Sequence, residues 1–134
     1  MDVNAFATMW AMQVALPVRE RGSCCDVALD IKPAAVNAAV DLLRLLADPA
    51  RLQMMAALQE ADQPVCVCDF TAALGLSQPT ISHHMGKLRN AGLVKVTRLG
   101  IWSFYEIAPG LAPAVRDLLS SAVAAGQATA ATKR

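Results

Sequence analysis

No apolar run in the 134-residue chain reaches the roughly 18 residues that a membrane span needs, so no transmembrane helix is expected. The segment 5–18 is apolar, but Asp2 precedes it and no Lys or Arg does, which argues against a secretory signal. The chain is therefore expected in the cytoplasm, with its thiols reduced. A net charge of +1 withholds the overall basic excess that would announce nucleic acid. No internal repeat is present, and the length suits one domain with tails, too short for two domains. The most informative absence is local. Between Ser77 and Gly100 there is no Asp or Glu, while Lys87, Arg89, Lys95 and Arg98 all fall there. A near-neutral chain thus carries one basic surface.

That stretch reads as helix, tight turn, helix and stop. The first helix is expected over residues 66–74, and Gly75 ends it where positive φ is wanted. Ser77 can cap the second, and Pro79 falls in its first turn, where a missing N–H does no harm. Ile81, Met85 and Leu88 then share one stripe, while Thr80, His83, Lys87 and Asn90 lie opposite. Gly92 closes the helix. A helix whose outward face is polar and basic suits a DNA major groove. Gln78, Thr80, Ser82 and His83 are the candidates for base edges, and Lys87, Lys95 and Arg98 for phosphates. His84 borders the apolar stripe and reads as structural. Residues 93–98 and 101–107 flank Leu99-Gly100 and are rich in β-branched and aromatic side chains, the pattern of a β-hairpin. Trp102 and Phe104 in its second strand are expected to pack in the core.

Upstream, Pro33 opens a helix whose apolar stripe is Val36, Val40, Leu43 and Ala47, thickened by Leu42, Leu45 and Leu46. Asp48 and Pro49 break it and start another, with Leu52, Met55 and Leu58 on the buried side. Arg51 is expected to tie helix ends together. Residues 4–16 can form a further helix, followed by a linker from Pro17 to Pro33. Leu111, Val115, Leu118, Leu119 and Val123 mark a last amphipathic helix, and residues 126–134 read as a disordered tail. The expected organisation is an arm over 1–32, a mainly α domain with a small β-hairpin wing over 33–125, and the tail. The 55% hydrophobic content exceeds what so small an interior hides, so a homodimer is expected.

The four cysteines form two tight pairs, Cys24-Cys25 and Cys66-x-Cys68. Vicinal geometry strains a disulfide between neighbours, so both pairs are expected as free thiols. Two such clusters point to a soft metal or metalloid, because thiolates select soft acceptors. Arsenite or antimonite takes three thiolates, whereas cadmium, lead or zinc suits four. The vicinal pair tilts the reading to trivalent arsenic.

Three ordered stretches carry a family resemblance: residues 46–52 (LADPARL), residues 65–70 (VCVCDF), and residues 74–84 with 88–94 (LGLSQPTISHH and LRNAGLV). Together they resemble the ArsR/SmtB family of winged-helix metalloregulators, over roughly residues 36–120. The resemblance implies a homodimeric winged helix-turn-helix repressor, not an enzyme, that binds operator DNA and releases it when an inducer is bound. It also implies that the terminal helices build the dimer interface. Cys24, Cys25, Cys66 and Cys68 are then the site for As(III), or Sb(III), within or between subunits. Two alternatives keep the architecture: a Cd(II) or Pb(II) sensor using all four cysteines, and a redox-sensing repressor in which Cys66 and Cys68 oxidise. The family's second site, for zinc on the last helix, is missing, since residues 109–126 hold Asp117 but no His. Gly86 stands where relatives carry a larger residue, at a cost of about 1 kcal/mol in helix propensity.

Overall fold

The computed structural model describes residues 29–133, together with Glu20 and Gly22. The chain divides between Ile31 and Lys32. The expected helix over 4–16 and both Cys24 and Cys25 lie outside the described residues.

From Lys32 onward the order is α1 (Pro33–Leu46), α2 (Pro49–Glu60), β1 (Val65–Cys66), α3 (Val67–Leu74), α4 (Gln78–Asn90), β2 (Val94–Leu99), β3 (Trp102–Ile107) and α5 (Pro113–Thr132). Each helix boundary has a local cause. Pro occupies the first turn of α1, α2, α4 and α5, where no N–H is needed. Asp48 caps α2 by accepting the Arg51 N–H at 3.0 Å. Gly75 ends α3 at φ +64°, a left-handed conformation that a side chain would strain. Ser77 Oγ accepts the Thr80 N–H at 3.4 Å to start α4. At its far end, Leu93 N–H donates to Leu88 O and Gly92 N–H to Arg89 O. That paired pattern is a Schellman motif, with Leu88 and Leu93 both buried beneath it.

The core is a single cluster. Ile81, Met85 and Leu88 of α4 are 0% exposed and meet Met54, Met55 and Leu58 of α2, Phe70 of α3 and Leu119 of α5. Burying side chains of this size contributes about 1.5–3 kcal/mol each, which fixes α4 firmly on the domain. Gln59 of α2 donates to Ser120 Oγ at 2.6 Å and to Arg116 O at 3.3 Å, seating α5 against α2.

Several expectations change. The sheet has three strands in the order β1-β3-β2, so the wing is a hairpin with an added edge strand. Cys66 belongs to that strand, paired with Phe104, and the helix expected from Cys66 starts at Val67. Pairing with a strand nearly forty residues away settled that residue's conformation. Trp102 and Phe104 are not the core residues of β3. Side chains alternate along a strand, and Tyr105 and Ile107 take the inner face, leaving Trp102 51% exposed. The apolar stripe read on α1 is its outer one: Val36, Val40 and Leu43 are 43%, 37% and 52% exposed, while Leu46 is buried and Leu42 and Leu45 pack on the core. The helix meets the domain through its C-terminal end alone. Finally, α5 continues to Thr132 where a disordered tail was expected. Its last turns are mostly alanine, the strongest helix former, and Thr129 and Thr132 return hydrogen bonds to Ala125 O and Ala128 O.

Candidate nucleic-acid interface and thiol pair

The residues expected to face DNA divide by what they do in the free chain. On α4, Gln78, Ser82, His83 and Lys87 are exposed. Thr80 is half-buried, and its hydroxyl shares a 2.8 Å hydrogen bond with Ser77 Oγ, so it is partly engaged in the cap. His83 and His84 contact edge to face, with centroids 6.1 Å apart, but turn to different surroundings. His84 lies inward, its Nδ1 3.8 Å from Asp48 Oδ1 and without a hydrogen-bond partner. It is a packing residue, as expected from its place beside the apolar stripe.

On the wing, β2 and β3 pair without interruption, and Gly100-Ile101 alone joins them. Gly100 at φ +60° is the first central residue, the position a tight hairpin turn gives to glycine. Arg98 is exposed near this tip. Lys95 lies directly across from Glu106 and pairs with it at 3.2 Å. The basic surface is therefore less uniform than the chain order between Ser77 and Gly100 suggests. Glu106, beyond that window, enters it through strand pairing.

Asp48 and Arg51 hold the base of this unit. Arg51 Nε donates to Leu45 O, and Arg51 Nη1 is 3.8 Å from Asp48 Oδ2. Arg51 thus joins the end of α1 to the start of α2, in the structural role expected of it. The Arg51 N–H bond, then the Arg51 charge and His84, hold the Asp48 carboxyl below the usual carboxylate range, against an opposing desolvation.

The thiol pair sits where β1 turns into α3. Both Cys66 and Cys68 are free, the first buried and the second exposed. Cys66 is the N-cap of α3, and the Asp69 carboxylate reaches back to accept its N–H at 3.1 Å, as in a capping box. The Cys66 thiol hydrogen-bonded beside it, together with desolvation and the Asp69 charge, pushes the Cys68 thiol above its ordinary range. An open cleft of about 330 Å³ adjoins the pair. Cys66, Cys68 and Thr71 form one side of it, Gln78 and Ser82 of α4 another, and Ile101 and Trp102 of the wing tip a third. The sequence separates these three groups, and nothing in their spacing announced that they share a wall. Among the described residues no group of three or more His, Cys, Asp or Glu is placed to hold a metal ion. Two soft donors are in place there. A three- or four-thiolate centre needs more.

A capped helix-turn-helix, an outward polar helix and a flanking hairpin define a winged helix-turn-helix regulator of transcription. The profile described as "Bacterial regulatory protein, arsR family" matches residues 48–96. The chain is 41% identical over 69 residues to an uncharacterised HTH-type transcriptional regulator of Methanocaldococcus jannaschii, covering 52% of this chain and 76% of that one. It is 31% identical over 84 residues to a protein of Halobacterium salinarum named putative arsenical resistance operon repressor, covering 63% of this chain and 71% of that one. Among solved structures, the antimony-specific transcriptional repressor AntR superposes with a TM-score of 0.65 at 25% identity, over 84% of this chain and 97% of that one. The chain belongs to the ArsR family, whose members are DNA-binding regulators and not enzymes. No helix among the described residues is long and apolar enough to cross a membrane.

Proposed function

We propose that the protein is a homodimeric repressor that leaves its operator when trivalent arsenic, or antimony, binds its cysteine thiolates. The observation that carries this reading is the placement of Cys66 and Cys68 on a cleft that Gln78 and Ser82, in the first turns of the DNA-reading helix, also line. A ligand on those thiols acts where the protein touches bases. Relatives named for arsenical resistance and the likeness to an antimony-specific repressor support the choice of a trivalent metalloid.

In the unliganded dimer, two α4 helices enter successive major grooves of a pseudo-palindromic site. Gln78, Thr80, Ser82 and His83 face base edges, and Lys87, Lys95 and Arg98 face phosphates. Lys95 must exchange Glu106 for phosphate, which makes its share of the affinity smaller. The exposed stripe Val36–Val40–Leu43 supports dimerisation, since a contiguous apolar face on a small domain is normally covered. The metalloid joins Cys24 and Cys25 to one or both of Cys66 and Cys68, drawing the arm onto the start of α3. Linkage then requires that operator DNA weaken metalloid binding by the same factor.

The test is fluorescence anisotropy of the reduced protein on its own promoter DNA, titrated separately with arsenite, cadmium and zinc. Release by arsenite at one equivalent per subunit is expected. A Cys24→Ala/Cys25→Ala variant is expected to stay bound at every arsenite concentration. Release by cadmium alone would replace the three-thiolate reading with a four-thiolate one, and an unchanged arsenite response in the variant would remove the arm from the site.

A further inference from the structure

From Lys32 onward the exposed large apolar side chains fall in two groups. One is the α1 stripe of Val36, Val40 and Leu43, which dimerisation covers in the reading above. The other is the wing tip, where Leu99, Ile101 and Trp102 are 61%, 88% and 51% exposed. Apolar side chains gathered at the end of a hairpin mark a contact surface. The turn beneath them is well defined. Gly100 has φ +60° and Ile101 has no positive φ, the type II′ pattern of a two-residue hairpin. Ile101 therefore stands at the apex of two strands paired to their ends, with Leu99 and Trp102 opposite each other just behind it.

Three observations aim this tip at DNA. Ile101 and Trp102 line the same cleft as Gln78 and Ser82, so the apex is continuous with the base-contacting face read on α4. Arg98 is exposed beside it. From Ser77 to Tyr105 there is no Asp or Glu to repel a phosphate. Glu106, the one acid of the hairpin, lies at the far end of β3 against Lys95. A hydrocarbon apex flanked by a cation suits a groove with sugar walls between two rows of phosphate. The minor groove is about 6 Å wide, which admits the side chains of a two-residue turn.

We propose that Ile101 is a wedge that enters the minor groove beside the major groove occupied by α4, opens one base step and bends the operator. The proposal rests on the DNA-reading role of α4 and adds to it a residue that reads deformability instead of base edges. An apolar side chain pressed between two base pairs unstacks them and kinks the duplex by about 20–90°. The kink costs least at flexible pyrimidine–purine steps and most in stiff A-tracts. Specificity then arises at a position where the protein makes no hydrogen bond to a base. Leu99 and Trp102 pack on the sugars behind the wedge, and Arg98 holds the flanking phosphate.

The experiment uses the full reduced chain on its own promoter DNA and compares wild type with Ile101→Ser, Ile101→Met and Arg98→Gln. Ile101 is almost wholly exposed, so its substitution leaves the core intact. Bending is read by energy transfer between dyes at the two duplex ends, and unstacking by 2-aminopurine stepped through the operator. Affinity is read by anisotropy at several salt concentrations. Wild type is expected to bend the duplex and to brighten 2-aminopurine at one step in each half-site. Ile101→Ser is expected to lose both signals and about tenfold in affinity, the worth of burying one Ile side chain, with the salt slope unchanged. Ile101→Met, still apolar and long, is expected to keep both signals. Arg98→Gln is expected to reduce the salt slope by about one and to keep the brightened step. Replacing that step by an A-tract is expected to weaken wild type and not Ile101→Ser. An operator bound without a bend or a brightened step, or bent equally by Ile101→Ser, overturns the wedge. If Ile101→Ser alters the sedimentation of the free protein and leaves DNA bending intact, the tip is a contact between copies and the proposal is overturned. If wild type binds promoter DNA no better than unrelated DNA, the reading of α4 falls and this proposal with it.

Discussion

Replacing Asp48 tests how the DNA-reading unit is anchored, because three interactions converge on one carboxylate. Its Oδ1 caps α2 through the Arg51 N–H at 3.0 Å, its Oδ2 is 3.8 Å from the Arg51 guanidinium, and Oδ1 is 3.8 Å from His84 of α4. Loss of an N-cap costs about 1 kcal/mol. Loss of the part-buried ion pair with Arg51 costs up to about 1 kcal/mol more. Asp48→Ala is therefore expected to destabilise by about 2 kcal/mol, which for a domain of this size lowers Tm by roughly 8–16 °C. Asp48→Asn keeps a side chain that caps as well as Asp and is expected to cost about half as much or less. Both are measured by thermal denaturation at one fixed protein concentration, since dimerisation makes Tm concentration-dependent. The difference between wild type and Asp48→Asn carries a pH signature. The folded Asp48 carboxyl titrates below its unfolded value of about 3.9, so its charge-dependent stabilisation is fully present above about pH 4. It fades as pH falls through the folded value and is absent below that. An Asp48→Asn loss equal to that of Asp48→Ala near neutral pH would refute the cap assignment. A gap between wild type and Asp48→Asn that persists in strong acid would refute the charge assignment.

Gly86→Ala is expected to stabilise the domain by about 0.8–1 kcal/mol, the helix-propensity difference. A Cβ built at Gly86 meets nothing within 4 Å and its φ is not positive, so a fall in Tm would contradict the packing described for α4. Lys87→Gln is expected to weaken operator and unrelated DNA alike and to reduce the slope of log K against log salt by about one. A loss confined to the operator sequence would move Lys87 from phosphate to a base.

Much of the reading unit was legible because its signals are local. Asp48-Pro49, Gly75, Ser77-x-Pro79 and Gly92 each act within a few residues of the backbone they control, and the structure has every one of them at a helix end. The turn at Gly100-Ile101 is of the same kind. The stripe of Ile81, Met85 and Leu88 was legible through its period, and with it the outward polar face of α4. Ala122, Ala124, Ala125, Ala128, Ala130 and Ala131 of α5 carried a helix signal too, which the small and polar residues between them obscured. Other features depend on what lies across a gap in the chain. β1 exists because Val65 and Cys66 find Tyr105 and Phe104, and that pairing, not local propensity, made Cys66 a strand residue at the mouth of a cleft. Which stripe of α1 is covered followed from how little of α2 it meets. The inward face of β3 followed from register, which sent Trp102 outward beside the thiols. Glu106 reached Lys95, and Asp48 reached His84, through the same tertiary closure. The amino-acid order by itself determined the helix ends marked by Asp48-Pro49, Gly75, Ser77 and Gly92 and the outward polar face of α4, since those depend on backbone geometry and periodicity over one or two turns. Only the tertiary structure decided that the cysteine pair, the reading helix and the wing tip share one cleft, because that depends on contacts between residues the chain keeps far apart.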